Sequence, residues 1–181
     1  GNRVAATLSV NFPFGSGYMP PGTGVVLNNE MDDFSAKPLT PNGYGLIGAG
    51  ANAIAPGKRP LSSMSPTFIE GPNRVGIIGT PGGSRIISMV LLGILAFDQG
   101  LSATDIVGLP RFHHQYEPDE ILYEPAALRE PEKKALVSKG HQIKLSDREY
   151  GNMQVVIWNK TQNTLDAASD PRGVGEAKIE R

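Results

Sequence analysis

After the turn dipeptide Gly1-Asn2, residues 4–10, Val-Ala-Ala-Thr-Leu-Ser-Val, read as a strand entered at once. A glycine- and proline-rich stretch runs from Phe12 to Met64, interrupted by the apolar run Gly24-Val25-Val26-Leu27. Loops longer than about 15 residues are usually functional or disordered. The aliphatic and aromatic residues scattered through this one, with few charges, predict an ordered surface that builds a site. Residues 74–79 predict a second strand, and Thr80-Pro81-Gly82-Gly83 a turn leading out of it. Ser84 is placed to cap a helix running to about Gln99, with Gly100 as its left-handed stop. Residues 86–97 are apolar on nearly every face, which predicts a helix buried on both sides. Ser102-Ala103-Thr104-Asp105 has the form of a capping box and opens a short helix ending near Pro110. Residues 125–139 predict a surface helix stopped at Gly140, with Glu130 and Lys134 spaced as an i,i+4 pair. Further strands are expected at 142–145, 153–158 and 165–168. Strands first, helices in the middle and strands again indicate one layered α+β or α/β domain over residues 1–181.

Composition narrows the classes of function. Hydrophobic residues make up 39% and charged residues 19%, too apolar and too weakly charged for a disordered chain. Glycine (22) and proline (15) together occupy about a fifth of the positions, so backbone constraint carries unusual weight. With 17 basic and 18 acidic residues, a net charge of −1 and no basic cluster, neither nucleic acid nor an anionic membrane is an expected partner. The apolar run from Ile86 to Phe97 is interrupted by Ser88 and Gly93 and is too short to cross a bilayer. The absence of cysteine removes disulfides, thiolate metal sites and a cysteine nucleophile.

Several segments carry chemistry. Gly48-Ala49-Gly50-Ala51 imitates a dinucleotide fingerprint but lacks its third glycine and a following helix, and reads as a loop. His113 and His114 are adjacent, so on a strand they point to opposite faces and do not share a metal; one is expected in the core and one near the surface. Pro81-Gly82-Gly83-Ser84 reads equally well as a tight turn or as an anion site, with successive amides backed by the positive end of the next helix. Asn28-Asn29-Glu30-Met31-Asp32-Asp33 packs three carboxylates into four positions, either as a solvated turn or as the seat of a cation. Ser62 and Ser63 lie between Pro60 and Pro66 close to Lys58 and Arg59, where paired hydroxyls can orient a carboxylate.

Taken in order, Leu27-Asn28-Asn29-Glu30-Met31-Asp32-Asp33-Phe34-Ser35, Lys58-Arg59-Pro60-Leu61-Ser62-Ser63-Met64-Ser65-Pro66-Thr67, Pro81-Gly82-Gly83-Ser84-Arg85 and Pro110-Arg111-Phe112-His113-His114-Gln115 closely resemble the small, C-terminal subunit of γ-glutamyltranspeptidases. The likeness extends from Gly1 to Asp170-Pro171-Arg172. It implies an N-terminal-nucleophile hydrolase of α+β class, a four-layer αββα sandwich, whose autoprocessed precursor exposes a nucleophilic threonine. It further implies transfer of the γ-glutamyl group of glutathione-like donors to water or an amine through a γ-glutamyl-threonine ester. Asn11, Glu30 and Asp33 would hold the donor's α-ammonium, and Ser62 and Ser63 its α-carboxylate. The amides of Gly82 and Gly83 would form the oxyanion hole, and Ser9 would stand where the family keeps a second threonine hydroxyl. Residues 38–49, with Tyr44, resemble a lid loop over the glutamyl group. The implied partners are the large subunit of the same precursor, which supplies an arginine, and the small-molecule donor. No cofactor or metal is implied, and the compartment would be periplasmic or extracellular.

The family's nucleophilic threonine lies on a strand preceding the Gly-Asn turn, upstream of Gly1, and Thr7 is no substitute because the mechanism uses the α-amine of a terminal threonine as its base. This chain is therefore expected to be a truncated part of an enzyme, inactive alone. Alternatives are a related amidase or β-lactam side-chain acylase, and a non-catalytic amino-acid-binding or scaffold domain. Keeping Asn11, Glu30 and Asp33 disfavours the acylase, and an intact glycine turn would be unexplained in a scaffold.

Overall fold

The computed structural model describes every residue of the chain except Pro38 and Arg181. These residues form two compact units: one from Gly1–Thr7, Met64–Gln115 and the chain from Asp119 onward, the other from Leu8–Ser63 with Tyr116–Pro118. The first holds all the named strands and α-helices, a mixed α+β structure. The second is built from turns, with short 3-10 segments at Glu30–Asp33 and Gly50–Asn52.

In the first unit a four-stranded antiparallel sheet has the order β1 (Thr67–Glu70), β2 (Arg74–Gly79), β6 (Gln154–Asn159), β7 (Thr164–Ser169). Register places Gly76 opposite Ile157 and Ile78 opposite Val155, so these four face one side together. That side meets α1 (Arg85–Asp98) and α2 (Ala103–Gly108), burying Ile78, Met89, Ile106, Val107 and Val155 in one core. Gly76 lets α1 approach, because a Cβ there would lie 3.0 Å from the Phe97 ring. A second sheet has the order β3 (Phe112–His113), β4 (Ile121–Tyr123), β5 (Ile143–Leu145). Its β4 and β5 are parallel, joined through α3 (Glu130–Ser138).

The sequence located α1, α2, β2, β6 and β7 well, and the capping box of Ser102 with Asp105 forms as expected. Four expectations need correction. Residues 4–10 join no ladder among the described residues. Residues 3–7 instead cross the face of the sheet opposite the helices: Arg3 pairs with Glu70 at 2.7 Å and sits over the Trp158 ring, and Thr7 lies near Gly79. Ser84 makes no side-chain cap, because it is already in helical conformation. Helix α1 is buried on one side only, with Ile87, Leu91 and Leu95 at 60%, 53% and 50% exposure along an i, i+4, i+8 ridge, since the sheet covers only one face. Helix α3 starts at Glu130 rather than 125, and Glu130 pairs with Lys133 at i+3, not with Lys134. Strands β1, β3 and β4 were not foreseen.

Four buried charges join these elements. Arg111 is 1% exposed; it donates to the carbonyls of Tyr150 and Val107 and to the Asp170 carboxylate. Arg172 donates to Glu124 at 2.8 Å and Asp170 at 3.2 Å, and to the carbonyls of Val107 and Leu109. The carboxylates accept amide hydrogens as well, Glu124 from Arg111 and Tyr150, Asp170 from Met153 and Arg172. Burial alone would raise the Asp170 pKa, but the Met153 amide and the Arg111 guanidinium outweigh it and hold it below the usual carboxylate range. Two cations and two anions thus close the C-terminal end of α2, whose last carbonyls are left free by helix geometry. Removing one partner of such a buried set typically costs about 3–5 kcal/mol. Asp170→Ala is expected to lower unfolding stability by that amount, and Lys133→Ala, which breaks a pair on the surface of α3, by far less. Chemical denaturation of the two variants checks the contrast.

Candidate active site

The carboxylates are gathered by asparagines. Asn29 donates from its amide to the Val10 carbonyl (3.3 Å), from its side chain to Asp32 (2.8 Å), and accepts from the Phe12 amide (3.0 Å). The Asn28 side chain accepts from the Glu30 amide (3.0 Å), which starts the 3-10 turn Glu30–Asp33. Asn11 sits at φ +71°, a left-handed conformation that asparagine tolerates, and its side chain donates to the Asn29 carbonyl (3.1 Å). Asn11, Glu30 and Asp33 are thereby assembled within the second unit. Partial burial, followed by the charge of Glu30 and a hydrogen bond with it, raises the Asp33 pKa from 3.8 to about 6. A turn held this way favours a proton or another cation.

The other predicted groups of this unit lie around that turn. Asn52 donates to the Asp33 carbonyl (2.7 Å) and accepts from the Leu61 amide (3.0 Å), so one side chain ties the Ser62-Ser63 segment to the carboxylate turn. Sequence reasoning missed Asn52, whose only signal was an asparagine closing a glycine-alanine loop. Ser9 is exposed and its hydroxyl accepts from the Asn11 amide (2.7 Å), leaving its hydrogen to donate elsewhere. Residues 39–48 of the lid-like segment form a hairpin, with Pro41 bridged to Ile47 and the Asn42 side chain accepting from the amides of Tyr44 and Leu46. The Tyr44 ring lies 5.0 Å from the Phe12 ring and its hydroxyl donates to the Asn11 carbonyl (3.5 Å). Burial, then the charges of Asp33 and Glu30, push its pKa up. A cavity of about 220 Å³ is lined by hairpin residues including Leu46 and by Phe12, Asp33, Phe34 and Leu61. Pro38, the first residue of the predicted lid, lies outside the described residues.

In the first unit, the glycine turn precedes α1. Gly82 and Gly83 have φ of +145° and +58°, where side chains are strained. Their carbonyls accept from the amides of Arg85 (3.2 Å) and Ile86 (3.1 Å). Among the described residues neither glycine amide donates a hydrogen bond, which leaves two donors at the positive end of a 14-residue helix. The turn leans on residues 150–152: the Asn152 amide donates to the Thr80 hydroxyl (3.4 Å), and the Arg85 guanidinium covers the Tyr150 ring at 4.7 Å. Met89 packs beneath, its Cε 2.6 Å from where a Gly82 Cβ would stand. The Tyr150 hydroxyl is buried without a partner among the described residues, and burial with the charge of Glu124 pushes it up to about 12.

The order and spacing of these segments are those of one family. A family model for gamma-glutamyltranspeptidase matches residues 1–179. The chain belongs to that family. It is 43% identical over 182 residues to the glutathione hydrolase proenzyme of Escherichia coli K12, covering 97% of this chain and 30% of the relative. The chain thus spans between a quarter and a third of the length of the curated relatives it matches first. It superposes on a crystal structure of acivicin-inhibited gamma-glutamyltranspeptidase with TM-score 0.90 at 42% identity, over 97% of this chain and 95% of that one. The gamma-glutamyltranspeptidase of Pseudomonas nitroreducens complexed with L-DON gives TM-score 0.90 at 39% identity, over 100% and 95% of the two chains.

Within the gamma-glutamyltranspeptidase framework the histidines separate as expected: His113 is 8% exposed, whereas His114 faces outward at 2.8 Å from Asp119. The Asp33 shift carries a direct consequence. A carboxyl whose folded pKa is raised adds stability that is complete below pH 3.8 and lost as pH rises through about 6. Glu30→Gln removes the like charge, so Asp33 is expected to titrate at lower pH in the variant, which ¹³C NMR of the Asp33 carboxyl measures.

Proposed function

We propose that the complete protein to which this chain belongs transfers the γ-glutamyl group of glutathione-like donors to water or an amine, through a γ-glutamyl-threonine ester. The carbon of the donor amide is attacked by the hydroxyl of a threonine upstream of Gly1, whose own α-amine takes the proton. The C–N bond then breaks, the amine leaves with a proton, and water or an acceptor amine cleaves the ester. Ser9 has a hydroxyl hydrogen free to bond the nucleophile. Asn11, Glu30 and Asp33 take the donor ammonium, Ser62 and Ser63 its carboxylate, and Tyr44 with the 39–48 hairpin covers it. Gly82 and Gly83 offer two unspent amides for the tetrahedral oxyanion, where one such donor is worth about 10²–10³ in kcat.

The observation that carries this reading is the Glu30–Asp33 turn, whose raised Asp33 pKa marks a site in want of a cation. An acylase acting on donors without an α-amine has no use for it. The reading extends to the fold. The sheet face opposite the helices shows Phe68, Val156 and Leu165 at 50%, 37% and 50% exposure and is already crossed by residues 3–7. We assign it to the inside of a four-layer αββα sandwich completed by a large subunit from the same precursor, in the periplasm or outside the cell.

The pH profile of the complete enzyme tests the assignment. As pH falls below about 6, Asp33 of the empty site takes up a proton and loses its hold on the donor ammonium. The kcat/KM for γ-glutamyl-p-nitroanilide is therefore expected to fall on the acid side of about pH 6, whereas kcat, measured with the ammonium already bound, falls only at lower pH. Asp33→Asn should remove that limb and lower kcat/KM by about 30-fold or more, since losing a desolvated charge partner costs roughly 2–5 kcal/mol. Glutaryl-p-nitroanilide, without the amine, should lose far less. Equal losses for both donors would make Asp33 a structural residue and favour the acylase.

A further inference from the structure

His113 and Ser88 have no part in the chemistry assigned above, yet they meet at short range. His113 lies in β3 and is 8% exposed; Ser88 lies in the second turn of α1, just past the glycine turn. Ser88 Oγ is 2.5 Å from His113 Nδ1, and His113 Nε2 is 2.9 Å from Gln115 Oε1. An amide oxygen only accepts, so with Gln115 presenting Oε1 the ring hydrogen sits on Nε2 and Nδ1 accepts the one Ser88 hydroxyl hydrogen, for which the Arg85 carbonyl at 3.3 Å is a second, more distant acceptor. That pairing needs a neutral ring. Burial lowers the His113 pKa against the opposing bond to Gln115, and the charges acting on it, Arg85 from α1 and the neighbouring His114, lower it further.

We propose that His113 is a positioning residue for the oxyanion turn: by accepting the Ser88 hydroxyl it ties the start of α1 to β3 and fixes where the Gly82 and Gly83 amides point. The inference rests on the reading of that turn given above. The start of α1 needs such a tie, because Ser84 contributes no side-chain cap and the outer ridge of Ile87, Leu91 and Leu95 is unpacked. On one side Met89, Thr80 and Arg85 hold the turn against residues 150–152. The Ser88–His113 bond supplies the remaining direction. An apolar pair would fill the same space, but only a directional bond fixes the rotation of a helix. Oxyanion donors work within about 0.5 Å of their productive position, so a small rotation is costly to rate and nearly silent in stability.

The test uses the complete two-subunit protein with γ-glutamyl-p-nitroanilide. Ser88→Ala and His113→Phe are expected to lower kcat about tenfold or more with KM within about twofold, the signature of an interaction that acts in the transition state. Ser88→Thr, which keeps the hydroxyl, should restore most of kcat. In the wild type, ¹⁵N NMR should show His113 as the Nε2–H tautomer at pH 7, and Ser88→Ala should raise its pKa by removing a donor that favours the neutral ring. If His113→Phe does not fold, Ser88→Ala carries the comparison. Unchanged kcat in Ser88→Ala, loss of activity in Ser88→Thr equal to that in Ser88→Ala, or an Nδ1–H tautomer would each overturn the proposal. A wild-type enzyme that releases no p-nitroaniline would overturn the functional reading instead, and the tautomer would still decide the Ser88–His113 bond.

Discussion

Four charged side chains withdrawn from water set the geometry of the larger unit. Arg111, Glu124, Asp170 and Arg172 neutralise one another, and their remaining hydrogen bonds reach backbone groups of α2, of the segments flanking β3 and β4, and of residues 150–153. A buried guanidinium must satisfy several donors at once, so it fixes several segments at once. Residues 150–152 are the ones that matter for chemistry. The Tyr150 carbonyl is held by Arg111, and a Cβ at Gly151 would collide with Arg111 and with Met89. Met89 and Thr80 in turn flank the glycine turn. Rigidity passes from a charge cluster through a loop to two backbone amides. An apolar core of the same volume would pack equally densely. It would not dictate where residues 150–152 run.

The smaller unit solves a different problem, holding like charges together without a core of its own. Its framework is a lattice of asparagine side chains. Asn28 and Asn29 shape the turn, Asn11 leans on Asn29, Asn52 joins the turn to the serine segment, and Asn42 folds the hairpin. Each bonds backbone groups that a loop would otherwise leave to water. The result presents carboxylates at a fixed spacing while leaving Asp33 only partly solvated, the condition that makes a cation welcome there.

Local rules made much of this legible. Helix α2 was announced by Ser102 and Asp105, and α1 by an apolar run ending at Gly100, because caps and stops are decided within a few residues. Strands β6 and β7 were clear from their apolar runs. What escaped depends on distant partners. Residues 4–10 have strand-like composition, but a strand exists only where another supplies its ladder. Two-residue β3 and three-residue β4 are too short to show a period. The all-round apolar character of α1 predicted burial on both sides, yet a sheet covers one. Among site residues, the motifs marked Glu30, Asp33, Gly82 and Gly83 and the family resemblance added Asn11, whereas Asn52 and the Ser88–His113 contact became visible only with the chain folded. Arg111 and Arg172 were quoted in motifs, but nothing local told that they are buried.

On the function we propose, this chain supplies the donor-binding turn and the oxyanion turn to an enzyme working through a threonine ester. Intact-mass measurement of the complete protein, acid-quenched during turnover of γ-glutamyl-p-nitroanilide, tests it most directly. The expected result is a small subunit heavier by one γ-glutamyl group, with the adduct mapped by peptide sequencing to a threonine upstream of residue 1. An adduct on Ser62, Ser63 or any other residue of this chain, or turnover with no covalent species even when acylation is fast, would contradict it.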